Sequence, residues 1–238
     1  LDLDASSWLV LGPPALEKLV QSTFGGYSYV SEISQATIDS FEITIGLSSL
    51  FAYYKYVPQA NSGLPLFSLR SDDISAWRLA LQALPGRRSI GFSWFGGGNP
   101  EYRSLRSLAL EQMLPLFSIS GINWISLQYG GQKVEDELLE FKNRHSLNII
   151  SYGGTAIDLY QQACCCSALD LTISVQQTLV HVAGAVGANL WAMVPTIPEW
   201  RYGLDSCKIP WYSSVELLRQ KDSGEWSELI LRIKQRLV

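Results

Sequence analysis

The sequence predicts an α/β protein built on a parallel, doubly wound sheet. Its first sign is a set of short apolar stretches, each long enough for one buried strand. Its second sign is that segments of helical periodicity, rather than hairpin turns, separate these stretches. Glycine-rich or polar segments follow several of them, as expected where such a sheet binds ligands. We predict strands at residues 89–95, 123–128, 147–150, 169–175 and 189–194.

The segments between these strands carry apolar residues at helical spacing. Val134, Leu138 and Phe141 share one face of a predicted helix. A second stripe of this kind occupies residues 157–164. Alternation of strands with such helices favours a parallel sheet over an antiparallel meander.

Residues 1–85 also alternate strand and helix signals, and they resemble part of a separate lobe. Strands are predicted at residues 8–11 and 41–45, and helices after the Pro13–Pro14 pair and over residues 74–84. The Pro-Gly pair at 85–86 ends the last of these helices. We therefore expect an incomplete, Rossmann-like first lobe at residues 1–85 and a second lobe at residues 86–238.

The end of the chain is a predicted amphipathic helix. Trp226, Ile230, Ile233 and Leu237 recur at helical spacing. A helix with this stripe is not stable alone in water. We expect its apolar face to be buried, at least partly against the first lobe.

Composition and charge exclude several classes of protein. Hydrophobic residues make up 47% of the 238 residues, which is enough for a real core and argues against disorder. The net charge is −4, and no run of Lys or Arg could follow a phosphate backbone, so we expect no nucleic-acid partner. Because Leu1 is not followed by a basic segment and an apolar core of signal-peptide type, we expect a cytoplasmic protein.

Two further features have simple explanations. Cys164, Cys165 and Cys166 are consecutive, a spacing unsuited to a disulfide framework or a zinc knuckle, and we interpret them as small buried hydrophobic residues. No charged residue occurs between Asp170 and Glu199. Polar residues and Pro195 interrupt that stretch, which predicts a strand, a helix and a second strand rather than a membrane span.

The segment after the strand at 89–95 has the composition of an anion-binding loop. It contains Gly96, Gly97 and Gly98, which permit a close approach of backbone to ligand. Arg103 and Arg106 follow and could neutralise a diphosphate. A flexible loop with solvated arginines is the alternative, because neither a Walker lysine nor a G-x-G-x-x-G spacing is present.

A second candidate for anion binding is the start of the helix that follows the strand at 169–175. Gln176 and Gln177 come directly after that strand, and Thr178 occupies a position from which it could cap the helix. The free amides of a first helical turn attract anions. His181 lies in that turn and faces either the anion or the interior, where a hydrogen-bonded structural histidine is the commoner case.

Other chemistries have little support in the sequence. The chain has two histidines, His145 and His181, and neither a G-x-S-x-G nor an H-E-x-x-H motif, which argues against hydrolase triads and zinc hydrolysis. The aromatic segment at residues 197–212 either shapes a base or sugar pocket or packs as ordinary core.

Taken in order, four segments resemble glycosyltransferases related to the bacterial heptosyltransferases, including those fused to tetratricopeptide repeats. The resemblance is strong over residues 85–238 and weak before them. The matching segments are IGFSWFGGGNPEYRSLRSL, INWISLQYG, LDLTISVQQTLVHVAGAVGANLWAMVPTIPEWRYGL and IPWYSSVELLRQKDSGEWSELI.

This resemblance implies a GT-B fold of two Rossmann-like lobes, with a nucleotide-sugar donor bound to the second lobe and the last helix crossing back to the first. It implies no cofactor and no metal. The acceptor is a protein, a lipid or a glycan. By motif position, the residues implied in substrate binding are Trp94, Asn99, Arg103, Arg106, Gln128, Gln176, Gln177, Thr178, His181, Trp200 and Arg201.

The chain departs from the family pattern at two places. Gln176 and Gln177 stand where the family usually has Asp-Thr, which replaces a carboxylate by neutral amides. Gly154 replaces the usual Asp before Thr155. The residues present do not identify a general base.

The leading functional hypothesis is transfer of a sugar from a nucleotide diphosphate donor to an acceptor. The alternative is a catalytically impaired nucleotide-sugar or carbohydrate-binding module, which the two departures motivate. A nucleotide-sugar epimerase is a third possibility, but it needs acid and base carboxylates in the cleft, and the predicted loops supply few.

Overall fold

A computed structural model describes residues 9–24, 28–41, 44, 46, 65–97, 100–152 and 158–238. Most of the predicted strand at 41–45 lies outside these residues, as do Gly98, Asn99 and residues 153–157, which include Gly154 and Thr155.

The described residues before residue 86 form one small parallel sheet and three helices. Residues Pro14–Leu16 form a 3-10 turn that leads into the first helix. Strands β1 and β2 pair in parallel, with Leu9 opposite Ser28. The elements are β1 (Leu9–Leu11), α1 (Glu17–Thr23), β2 (Ser28–Val30), α2 (Gln35–Asp39) and α3 (Ser71–Gln82).

The rest of the chain forms a seven-stranded sheet with helices on both faces. Its elements are β3 (Arg88–Ser93), α4 (Pro100–Arg103), α5 (Leu114–Phe117), β4 (Ile122–Ser126), α6 (Gln132–His145), β5 (Ile149–Ser151), α7 (Leu159–Ala168), β6 (Leu171–Val175), α8 (Thr178–Ala185), β7 (Leu190–Val194), β8 (Lys208–Ile209), β9 (Tyr212–Arg219) and α9 (Ser227–Leu237). The strand order is β5-β4-β3-β6-β7-β9-β8.

The five predicted strands are all present and parallel, which confirms the predicted α/β class. The apolar stretch at 170–199 divides into β6, α8 and β7, as predicted. Among the described residues, no helix is long and apolar enough to cross a membrane.

Two strands at one edge were not predicted. β9 pairs in parallel with β7, and the two-residue β8 pairs with β9 in the antiparallel sense. β8 and β9 begin within the aromatic segment at residues 197–212, where a strand that follows a short loop of mixed composition has no clear boundary signal.

The core consists of two hydrophobic layers, one on each face of the sheet. Cys164, Cys165 and Cys166 are buried in the layer beneath α7 and α8, as predicted. Burial raises the pKa of Cys164 to about 11 and that of Cys166 to about 12, so both remain protonated, unreactive thiols near neutral pH.

The last helix is buried, as predicted. Trp226, Ile230, Ile233 and Leu237 are all buried. Within the described residues, α9 packs on α5 and the 3-10 turn before it, and its hydrophobic layer contains no residue before Ile90. Among the described residues, the helix therefore covers one face of its own sheet.

Helix α3 precedes the predicted lobe boundary, yet it packs against α7. The indole Nε1 of Trp77 donates to Gln161 at 3.0 Å, and the Tyr160 hydroxyl donates to Asp73 at 2.7 Å. Leu81 is buried in the layer that contains the three cysteines. This helix is thus part of the structural unit formed by the large sheet.

Candidate functional site

A cavity opens at the point where the strand order of the sheet reverses. β3 and β6 are neighbours there, and their connections leave in opposite directions. Ligands bind at such switch points because the loops after the two strands diverge and leave a crevice. The cavity has a volume of about 420 Å³, and the residues that line it are Gly97, Arg106, Gln176, Gln177, Thr178, His181, Glu199, Arg201 and Tyr202.

A chain of hydrogen bonds anchors the side chain of Gln177, which lines this cavity. The amide nitrogen of Gln177 donates to the Ser93 hydroxyl, which lies 2.8 Å from the Ser174 hydroxyl. The Ser174 hydroxyl donates in turn to the carbonyl of Val175 at 2.7 Å. Each hydroxyl then accepts one hydrogen bond and donates another, and the chain of bonds joins the ends of β3 and β6.

The start of α8 faces the cavity. Thr178 is the first helical residue, not the cap as predicted, and Gln177 occupies the cap position. The Gln177 side chain makes no capping hydrogen bond because it is directed to Ser93 instead. The first turn of α8 therefore keeps amide donors and a partial positive charge beside the cavity.

Gln176 is buried at the cavity wall, and its side-chain oxygen has no hydrogen-bond partner among the described residues. A buried amide oxygen without a donor costs free energy, which a ligand hydroxyl or N–H group would recover.

Arg106 enters the cavity from the loop that follows β3. It ends a short 3-10 turn and donates to the Glu199 carboxylate at 3.2 Å and to the carbonyl of Gly97. Its Nε is buried and has no partner within the described chain. Arg103 is exposed, and its guanidinium lies over the Phe95 ring at 5.5 Å from the centroid, outside the cavity lining.

Glu199 joins Arg106 to a second arginine. One carboxylate oxygen lies 3.2 Å from Arg106 Nη1, and the other lies 2.6 Å from Arg201 Nη1. Arg201 also lies over the Trp200 ring, 5.0 Å from its centroid. Two guanidinium groups and one carboxylate thus form a compact polar cluster at the mouth of the cavity.

His181 lies on the cavity wall between two tyrosines. Its Nδ1 is 3.3 Å from the Tyr212 hydroxyl, and its Nε2 is 3.4 Å from the Tyr202 hydroxyl. Burial lowers the pKa of His181, and the positive charge of Arg201 lowers it further, while Glu199 acts in the opposite direction. Burial also raises the pKa of both tyrosines, so the three side chains form a neutral group.

Two predicted binding residues have structural contacts instead. Trp94 is buried in the core beside Phe92, with ring centroids 5.8 Å apart. The buried Gln128 side chain accepts hydrogen bonds from the amides of Trp94 and Phe95 and donates to the carbonyls of Phe95 and Tyr129. Because all four hydrogen-bonding positions of its amide are used, Gln128 holds the loop after β3 in place.

Trp200 is not among the residues that line the cavity. Its side chain is 70% exposed and meets Trp211 edge-on at 5.9 Å. The other half of the W-R pair, Arg201, lines the cavity.

Six of the predicted binding residues therefore meet in one cavity: Arg106, Gln176, Gln177, Thr178, His181 and Arg201. Sequence reasoning missed Glu199 and Tyr202, which also line it. Both flank the W-R pair directly, and this adjacency was the available signal. Asn99 lies outside the described residues.

Comparison with known proteins finds several proteins of low sequence identity to this chain. No family model matches the chain. Protein FlbA of Caulobacter vibrioides is 25% identical over 162 residues, which cover 67% of this chain and 26% of FlbA. The chain thus spans about a quarter of the length of this curated relative.

Three solved structures with some similarity are all glycosyltransferases by description. The E. coli ADP-heptose lps heptosyltransferase II is 17% identical, with 72% of this chain and 50% of that chain covered and a TM-score of 0.46. The family 9 glycosyl transferase of Veillonella parvula is 16% identical, with 71% and 45% covered and a TM-score of 0.48. E. coli heptosyltransferase WaaC with ADP-2-deoxy-2-fluoro heptose is 17% identical, with 69% and 46% covered and a TM-score of 0.44. The matched part of this chain thus spans half the length of these proteins or less. The structure of the chain itself shows an α/β fold with a mostly parallel sheet.

Proposed function

We propose that this chain carries the donor-binding part of a glycosyltransferase, and that its switch-point cavity holds the diphosphate of a nucleotide sugar. The observation that carries the proposal is the meeting of Arg106, Arg201 and the start of α8 in one cavity. Guanidinium groups and the free amides of a helix start are the groups that bind phosphate oxygens.

The same groups suit the chemistry of the transfer. The bond between the anomeric carbon and the diphosphate oxygen breaks, a bond to the acceptor oxygen or nitrogen forms, and the acceptor loses a proton. Negative charge then increases on the departing diphosphate. Arg106, Arg201 and the start of α8 line the cavity and would stabilise that charge.

The surrounding neutral groups suit the uncharged part of the donor. Gln176 presents an unpaired side-chain oxygen, and His181 is held in its neutral form. We infer that these residues face sugar hydroxyls, while the acceptor, a protein, lipid or glycan, approaches from the open side of the cavity. In this proposal residues 86–238, with α3 packed against them, form the donor lobe, and nucleic acid is not a partner.

Titration calorimetry with the diphosphates of uridine, adenosine and guanosine tests the proposed phosphate site. We expect Arg106→Ala to weaken binding by about ten- to a hundredfold, since a charge-assisted arginine contact contributes about 1.5 to 3 kcal/mol. Arg103→Ala should have a smaller effect, because its guanidinium lies over Phe95 outside the cavity.

Arg144→Ala is a matched control, because Arg144 pairs with Glu111 and Glu140 on an exposed surface. Thermal unfolding of each variant checks that the fold is intact. If no diphosphate binds the native protein, or if Arg106→Ala binds as well as the native protein does, the phosphate site is wrong.

The second candidate is a nucleotide-sugar-binding module without transfer activity. Gln176 and Gln177 favour it, because neutral amides occupy the two positions after β6 and Gln177 is committed to Ser93. A donor-hydrolysis screen of the full-length protein separates the two functions. Turnover that Arg106→Ala abolishes supports the transferase, whereas donor binding with no turnover supports the module.

A further inference from the structure

The two cavity arginines already hold an anion that belongs to the chain. The carboxylate of Glu199 places one oxygen on Arg106 and the other on Arg201, at 3.2 and 2.6 Å. A phosphate oxygen that binds Nη1 of either arginine takes the position that a Glu199 oxygen occupies. Glu199 and a bound diphosphate therefore compete for the same hydrogen bonds.

Both arginines have other contacts that keep them in the cavity. Arg106 also donates to the carbonyl of Gly97. Arg201 lies over Trp200, and its own carbonyl accepts a hydrogen bond from Trp211 Nε1 at 3.1 Å. The arginines thus do not depend on Glu199 alone for their positions.

Glu199 is placed where it can leave the cluster. Its side chain is 38% exposed, and its backbone is extended at the start of the 3-10 turn Trp200–Tyr202. A carboxylate at this edge regains hydration when it turns outward, so its displacement costs far less than exposing a buried ion pair.

We propose that Glu199 is an internal competitor of the diphosphate: it neutralises Arg106 and Arg201 in the empty site, is displaced when the donor binds, and returns as the nucleotide product leaves. This inference rests on the proposed function. Its consequence is that Glu199 weakens nucleotide binding and speeds product release. A residue that merely holds the arginines in place would have the opposite effect on affinity.

The test compares the native protein with Glu199→Gln, which keeps the shape of the side chain and removes its charge. Inorganic pyrophosphate and the three nucleoside diphosphates are titrated into each by calorimetry, and dissociation rates are measured by stopped-flow mixing. We expect Glu199→Gln to bind about tenfold more tightly, mainly through slower dissociation, since one ion-pair competitor is removed.

Glu216→Gln is the matched control. Glu216 also pairs with an arginine, Arg236, through two hydrogen bonds of 2.9 and 2.8 Å, but it does not line the cavity. It changes the net charge by the same amount, so its affinity should equal that of the native protein. In an Arg106→Ala background, Glu199→Gln should give a smaller gain, because one of the two competing contacts is already absent.

The outcomes separate this inference from the proposed function. If the native protein binds a diphosphate and Glu199→Gln binds it equally or more weakly, Glu199 is not a competitor and the proposed function stands. An equal gain in Glu216→Gln would assign the effect to net charge and overturn the inference. If neither the native protein nor Glu199→Gln binds any of these anions, both the inference and the phosphate site are wrong.

Discussion

His181 shows how single residues of the cavity are adjusted by their surroundings. Both ring nitrogens face tyrosine hydroxyls, and both tyrosines keep their protons because burial raises their pKa. The nearby Arg201 disfavours a second positive charge. The histidine therefore contributes a neutral, oriented ring rather than a cation for the phosphates.

The lowered pKa of His181 predicts a pH dependence of stability. In the unfolded chain the imidazole returns to about 6.5, so below that pH the unfolded state binds a proton that the folded state does not. The contribution of His181 is therefore complete above about pH 6.5 and is lost as the pH falls through the lower folded value.

Urea denaturation at a series of pH values, on the native protein and on His181→Gln, measures this effect. We expect the free energy of unfolding of the native protein to fall more steeply between about pH 7 and pH 5, because only it carries the titrating group. His145 is present in both proteins, so it does not contribute to the difference between their slopes. Equal slopes would show that His181 titrates alike in the folded and unfolded states.

At the scale of elements, α8 is held against β9 by a small residue. A Cβ atom added to Gly184 would lie within 3.0 Å of three Tyr212 carbon atoms, including Cβ of Tyr212. The ring cannot move away freely, because its hydroxyl contacts His181. The close packing of this helix therefore also positions one wall of the cavity.

Gly184→Ala should consequently destabilise the protein, although alanine is the better helix former by about 1 kcal/mol. Overpacking against Tyr212 costs about 1 to 3 kcal/mol, and we expect a net loss of about 1 kcal/mol in chemical denaturation. Gly97→Ala is the control, because an added Cβ meets no atom within 4 Å there. A more stable Gly184→Ala would mean that α8 can shift away from β9.

At the scale of the whole molecule, the structural unit built on the large sheet extends beyond residues 86–238. Residues before the predicted boundary at 85–86 contribute to it: Leu66 and Phe67 donate backbone hydrogen bonds to Ala185, and Leu81 lies in the core. The boundary signal of Pro85 and Gly86 ends a helix. It does not separate that helix, α3, from the large sheet, because α3 packs against α7.

Two shortened chains test this view. We expect a chain that begins at Gly86 to unfold at a lower temperature than one that begins at Pro65, because the shorter chain lacks α3 and exposes Gln161, Tyr160 and the surface of α7. Differential scanning calorimetry compares both with the full chain. Equal transition temperatures for the two shortened chains would place the boundary at 85–86.

The sequence by itself determined the α/β class, the parallel strands β3 to β7 and the helices between them. These features depend on hydrophobic periodicity, which is local, so Val134, Leu138 and Phe141 could be assigned to one buried face correctly. It also indicated α8 and the loop after β3 as neighbours, since both follow strands of the same parallel sheet.

Only the tertiary structure decided which side chains of those loops meet. Arg106 and Glu199 are 93 residues apart and come together because β3, β6 and β7 are adjacent in the sheet. Trp94 lies in the core because it follows Phe92 by two positions and packs on the same side of the sheet. The packing of α9 was decided in the same way, by which apolar surface of the folded sheet remained uncovered.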